Sequence, residues 1–167
     1  MAYTPATPEL GIQPIASFSS TLNHPLGYVV EAYDPTYGAG EFIYLPGVAS
    51  TVVGSLVTYD PINKTTTLAP NTANLAQPLA VSMSANILAT TYGWYQIGGV
   101  AVIKKTAVKV SPNVALYLSG TTGRVMSTAA SGKQVVNARS VNAATVASAT
   151  STINAILDRP FAQGAVT

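Results

Sequence analysis

The chain has 167 residues, of which 48% are apolar and only 8% charged; its net charge is +2, and it contains one histidine and no cysteine. That length accommodates one domain with a substantial core, and the lack of thiols excludes a disulfide framework, a thiolate metal site and a cysteine nucleophile. No apolar run approaches the roughly 18 residues of a membrane helix, so a soluble protein with no membrane partner is expected.

Residues 1–27 hold Pro5, Pro8, Pro14 and Pro25 among Ser, Thr and short apolar groups, with no sustained period. Proline fixes φ and removes the amide donor, which predicts an extended N-terminal arm suited to lying across another surface. The opening Met1-Ala2-Tyr3-Thr4-Pro5 lacks the basic and apolar regions of a secretory signal, so synthesis in a cytoplasm is expected. The remainder, 28–167, is expected to form a single all-β domain, a compact β-barrel or sandwich.

From Glu41 onward, β-branched and aromatic stretches are broken every eight to twelve residues by Gly, Pro, Asn or Asp. The predicted strands are Glu41–Leu45, Ser55–Tyr59, Thr65–Leu68, Leu79–Met83, Trp94–Ile103, Ala107–Val110, Val114–Leu118, Arg124–Met126 and Gln134–Val141. Tight turns are expected at Asp60-Pro61-Ile62-Asn63 and at Ser119–Gly123. Val114, Leu116 and Leu118 share one face, as a half-buried strand requires. In the longest stretch Tyr95 and Ile97 occupy odd positions and Val100 and Val102 even ones, so Gly98-Gly99 marks either a β-bulge or a corner between two strands. Ala143–Leu157 fits both a helical stripe and strand alternation; its five β-branched residues favour strands.

All eight basic residues lie after position 60, whereas Glu9, Glu31, Asp34, Glu41 and Asp60 lie at or before it, leaving Asp158 as the one distal acid. One copy's acidic segment is thereby suited to another copy's basic body, or the two parts neutralise each other within one domain. A surface so poor in charge is cheap to dehydrate against a neighbour. Contact candidates are Pro5, Pro8 and Pro14 of the arm, Tyr33, Asp34 and Tyr37 of the acidic segment, and the basic cluster Lys104, Lys105 and Lys109. Strand alternation would set Lys105 and Lys109 on one side and Lys104 on the other. Phe42 and Trp94 read as core, Tyr33 and Tyr37 as contact residues.

Reactive constellations are missing from the pattern. His24, beside Pro25, reads as a turn or packing residue, and no serine lies in a nucleophile elbow. Glu31, Asp34 and Glu41 are spaced too irregularly for a calcium loop. Ser119–Arg124 lacks the Walker spacing, and three lysines without stacking aromatics do not make a nucleic-acid stripe. Asn63-Lys64-Thr65 is a formal glycosylation sequon, of little meaning without a secretion signal. A non-enzymatic protein with no cofactor, no metal and no direct nucleic-acid contact is expected. A sugar-binding adhesin or fibre domain is the alternative, since β-sandwiches stack exposed Tyr and Trp on sugars.

Three runs carry a family likeness: His24-Pro25-Leu26-Gly27, then Asp34-Pro35-Thr36-Tyr37-Gly38-Ala39-Gly40-Glu41-Phe42-Ile43-Tyr44-Leu45, then Tyr92-Gly93-Trp94-Tyr95-Gln96-Ile97-Gly98-Gly99. In this order they resemble the head decoration, or capsid cement, proteins of tailed bacteriophages, and Ile156-Leu157-Asp158-Arg159-Pro160-Phe161 is similar to that family's closing strand. The resemblance implies a β-barrel that forms a homotrimer on the outer surface of the virion head and fastens neighbouring units of the major capsid protein through its arm. It implies no catalytic residues.

Overall fold

Every regular element of the computed structural model, which describes residues 4–5 and 11–165, is a β-strand. In chain order these are β1 (Thr4–Pro5), β2 (Phe18–Ser19), β3 (Val29–Asp34), β4 (Gly38–Pro46), β5 (Leu56–Tyr59), β6 (Thr66–Leu68), β7 (Leu79–Ser82), β8 (Tyr92–Lys104), β9 (Ala115–Leu118), β10 (Val125–Met126), β11 (Gln134–Ser140) and β12 (Thr152–Ala162). The main sheet runs β1-β3-β4-β8-β12-β11-β9-β10 with antiparallel pairing throughout. It curls into a half-barrel, and Val125 of β10 bridges Lys105, one residue past the end of β8. The chain is all-β, as its alternation predicts.

The long strand β8 organises the rest. One edge carries β4, from Pro46 opposite Tyr92 to Gly40 opposite Gly99. The other edge is shared end to end by β2 at Tyr92–Gly93, β7 at Tyr95–Gln96 and β12 from Gly98 to Lys104. The glycine pair is a bulge within one continuous strand: Glu41 faces Gly98, Phe42 faces Gln96, and Ile97 is the extra residue. Gly99 sits at φ +83, and a Cβ there would run into the Ala39 carbonyl, so only glycine fits. Directly opposed residues share a face, so Gln96, opposite Val81, lies on the side that Ala101 and Ile103 occupy beyond the bulge. Val100 and Val102 thus turn to the side of Tyr95 and Ile97.

Three apolar clusters result. The half-barrel encloses an aliphatic core that includes Leu56, Val81, Ile103, Leu116, Val125 and Ile153. Near the start of β8, Phe42, Tyr44 and Trp94 pack with Ile15, Val30 and Met83. Ile43, Leu45, Val57, Tyr95 and Ile97 form the third. Phe42 and Trp94 are both fully buried, in line with their reading as core.

Three stretches differ from expectation. Val29–Asp34, ahead of the first predicted strand, is a strand, alternating Val30, Ala32 and Asp34 inward with Val29, Glu31 and Tyr33 outward. Ala107–Val110 is not a strand, because the chain turns at Thr106–Val108 and only Val110 bridges Val146. The strand in Ala143–Leu157 begins at Thr152; all of 143–151 except Val146 is exposed, with no core to alternate against.

Residues 11–27 hold β2 and several turns, and they rest on the chain's own sheet. Ile15 is buried in the aromatic cluster, with Ile12 and Leu26 packed beside it.

Candidate interaction surface

The contact candidates divide between surface and interior. Pro5 lies in β1 opposite Ala32; Pro8 falls outside the described residues; Pro14 is exposed, its carbonyl accepting from the Ser17 amide at 2.9 Å. Tyr33 is 55% exposed on the outer side of β3, the position its contact role requires. Tyr37 is half-buried against the aromatic cluster. Asp34 is buried and holds the β3–β4 turn, its Oδ1 accepting from the amides of Thr36 (2.8 Å) and Tyr37 (3.0 Å). As an outward-facing partner contact Asp34 is therefore corrected: a carboxylate that caps its own turn is not offered to a neighbour.

The lysine cluster does not form one patch. Lys105 is 1% exposed, and its Nζ donates to the carbonyls of Thr106 (3.2 Å), Val108 (2.8 Å) and Ser148 (3.3 Å). Three carbonyls satisfy the three donors of an ammonium, while burial pushes its pKa down. Lys105 fastens the loop around Ser148 to the end of the half-barrel, so its reading as a surface contact is corrected. Lys109 is exposed on the turn that replaces the expected strand.

Lys104 belongs to a different assembly. It lines a cleft of about 450 Å³ with Arg124, Ser50, Ser55, Thr121 and Thr122, and no acidic side chain contributes to the wall. Arg124 is the last residue of the turn after β9, where the Ser119 amide donates to its carbonyl at 3.1 Å, and its Nη1 donates to the Lys105 carbonyl at 3.3 Å. The predicted turn is thus present between paired β9 and β10, and closure of the sheet carries Arg124 beside Lys104. Ser50, on the rim, holds a left-handed backbone at φ 66, a strained position for a residue with a Cβ. Two cations, four hydroxyls and no carboxylate make this cleft receptive to an acidic or carbonyl-rich segment.

Acids gather elsewhere. Glu31 faces Glu41, Glu41 faces Gly98, and Gly98 faces Asp158, so one rung across β3, β4, β8 and β12 places three carboxylates on one side of the sheet. They line a cleft of about 400 Å³ over Gly98 and Gly99. Arg159 reaches Glu41 with its Nε at 3.0 Å from Oε2, and that partner raises the guanidinium's pKa. The charge division in the sequence thus resolves into partial neutralisation at this pair, alongside a separate basic cleft.

Among the described residues no group of three or more His, Asp or Glu stands close enough to hold a metal ion. Compared with protein-family models, with curated proteins and with solved structures, the chain matches none.

Proposed function

We propose that this chain is a structural protein of a tailed-phage virion: a decoration, or cement, protein that binds the outer surface of the head and fastens neighbouring capsid units against the pressure of packaged DNA. One observation carries the reading. The runs that resemble the cement family are far apart in sequence yet adjacent in space: Asp34–Leu45 makes the β3–β4 turn and β4, Tyr92–Gly99 makes the adjoining half of β8, and Ile156–Phe161 lies in β12 on the opposite edge. The resemblance thus falls on three adjoining strands of one sheet.

Physical features support the same role. A weakly charged surface is cheap to bury, exposed Tyr33 supplies a contact aromatic, and the Lys104–Arg124 cleft offers a charged anchor for an acidic segment of a second copy or of the capsid protein. In a homotrimer on a repeating shell, each contact after the first forms at high effective concentration, so modest interfaces suffice. No catalytic step is part of the proposal.

Purified protein mixed with mature heads lacking it should co-sediment with them and raise the temperature at which they release DNA. If it does neither, the proposal is to be dropped; binding on a glycan array instead would move the chain to the adhesin class.

A further inference from the structure

Lys104 and Arg124 share the cleft between the turn 50–55 and the turn after β9, and neither has a carboxylate partner among the described residues. Lys104 stands at the end of β8, where its amide donates to the Gly54 carbonyl at 2.8 Å. Gly54 holds φ +84, and a Cβ on it would come within 2.9 Å of the Val102 carbonyl, so glycine lets that turn lie against β8. On the other wall Gly123 is pinned at both polar ends. Its amide donates to the Ala69 carbonyl and its carbonyl accepts from the Leu56 amide, each at 2.9 Å. Arg124 spends Nη1 on the Lys105 carbonyl, which leaves the rest of its guanidinium donors for a guest. Both walls are thus fixed before anything binds, which lowers the cost of binding.

The chain's described acids do not serve this cleft. Glu41 and Asp158 both lie opposite Gly98, and Glu31 lies one strand further away, opposite Glu41. From Gly98 to Lys104 the strand β8 advances about 20 Å at roughly 3.3 Å per residue. That is more than twice the Debye length of about 8 Å at physiological salt. Asp34 caps the β3–β4 turn, and Asp60 caps its own turn through the amides of Ile62 and Asn63. Glu9 falls outside the described residues. Two half-buried positive charges therefore line one cleft uncompensated, and an anionic guest relieves them.

We infer that the cleft seats an extended segment of a different polypeptide, one in which carboxylates neighbour aliphatic side chains. In the capsid reading, on which this rests, that segment belongs to the capsid protein and not to a second copy. Every polar side chain of the wall can donate: Lys104, Arg124 and the hydroxyls of Ser50, Ser55, Thr121 and Thr122. The Ser55 hydroxyl accepts from the Val52 amide at 3.1 Å and so keeps its own proton for the guest. Ionised carboxylates only accept, which completes the match. Apolar surface lies beside the cations: Val52, 47% exposed, and half-buried Leu68 line the cleft, and Val53 next to them is 52% exposed. A free phosphate or a sulfated sugar would leave these side chains wet, and no aromatic ring lines the cleft to stack a base. A second copy has no such segment to offer among its described acids. Glu31, Glu41 and Asp158 sit within paired strands, with Arg159 on Glu41, and Asp34 and Asp60 hold their own turns.

The full-length protein is titrated with the acetylated and amidated peptide Val-Asp-Val-Asp-Val and followed by backbone-amide NMR at low salt. Saturable shifts are expected at Ser50, Val52, Lys104, Thr122 and Arg124, weakening as salt rises. Asparagine in place of both aspartates of the peptide, or Lys104→Gln together with Arg124→Gln in the protein, should weaken binding about tenfold or more, because charge-assisted bonds are lost. Lys109→Gln, on its separate turn, should change nothing. Light scattering should give the double variant the same solution mass as the wild type. Absence of a saturable shift, an asparagine peptide that binds equally well, or inorganic phosphate bound as tightly as the peptide would overturn the assignment. So would a lower mass for the double variant, which would hand the cleft to a second copy. If the double variant does not fold, the two peptides on the wild type decide. Mature heads separate this claim from the capsid reading. Wild type and folded double variant binding heads equally would sink the cleft and leave that reading standing; wild type that ignores heads would sink that reading, and the peptide titration still decides the cleft.

Discussion

The two ends of β8 are held by different means. Around Ala101 and Ile103 the strand is packed by aliphatic side chains from β5, β7, β9, β11 and β12, and burial of apolar area does the holding. Around Trp94 the partners are aromatic, and the segment 11–23 over them is fixed by directed bonds to Gln13, whose carbonyl accepts from the Trp94 indole and whose Oε1 accepts from the Tyr44 hydroxyl. Area burial is tolerant of volume-conserving change; a set of directed bonds is not. The molecule thus joins a frame held by buried area to a segment held by directed bonds.

The sharpest way to break this contrast is to cut into each end. Leu116→Ala, in the aliphatic core, should lower stability by about 2–5 kcal/mol, and Trp94→Ala by about 3–5 kcal/mol, measured by denaturant unfolding. The difference lies in what else changes. Trp94→Ala should expose residues 11–23 to protease under native conditions, because it removes the donor to the Gln13 carbonyl, while Leu116→Ala should leave them protected. Equal cleavage in both variants would mean that the two ends do not differ in this way.

A smaller effect is expected where a cation is enclosed by the frame. Lys105→Met removes the donor that ties together the carbonyls of Thr106, Val108 and Ser148, of which Thr106 keeps the Val108 amide, and should cost about 1–3 kcal/mol at neutral pH. The pH dependence follows from the depressed pKa. Between the folded value and the ordinary value of 10.5 the unfolded chain binds more protons than the folded one, so the wild type gains stability as pH rises through that window. The gap between wild type and Lys105→Met should therefore widen on the alkaline side; a gap that narrows would contradict a desolvated ammonium. Smallest of all, Arg159→Ala should leave the unfolding midpoint unchanged, since its pair with Glu41 is exposed and screened.

Local chemistry was legible in the sequence where neighbours in the chain decide it. The parity switch between Ile97 and Val100 correctly marked a kink, and register against β4 resolves it as a bulge and not a corner. The turn at Asp60 is likewise local, its carboxylate accepting from the Ile62 and Asn63 amides at 2.7 and 3.0 Å. His24 read as a packing residue, and it is enclosed by rings. What escaped depends on distant partners. Gln13 reaches 31 residues to Tyr44 and 81 to Trp94, and one Lys105 acceptor is 43 residues away. A lysine in a basic cluster reads as surface until such acceptors are known. The pairing of Lys104 with Arg124 is hidden for the same reason, because sheet closure creates it.

The claim beneath the whole account is that this protein adheres to a shell. A density map of the virion at side-chain resolution tests it most directly. The account predicts copies of this fold on the outer lattice, with an acidic or carbonyl-rich segment of a neighbouring subunit in the cleft between Lys104 and Arg124. An outer lattice free of this chain would contradict it.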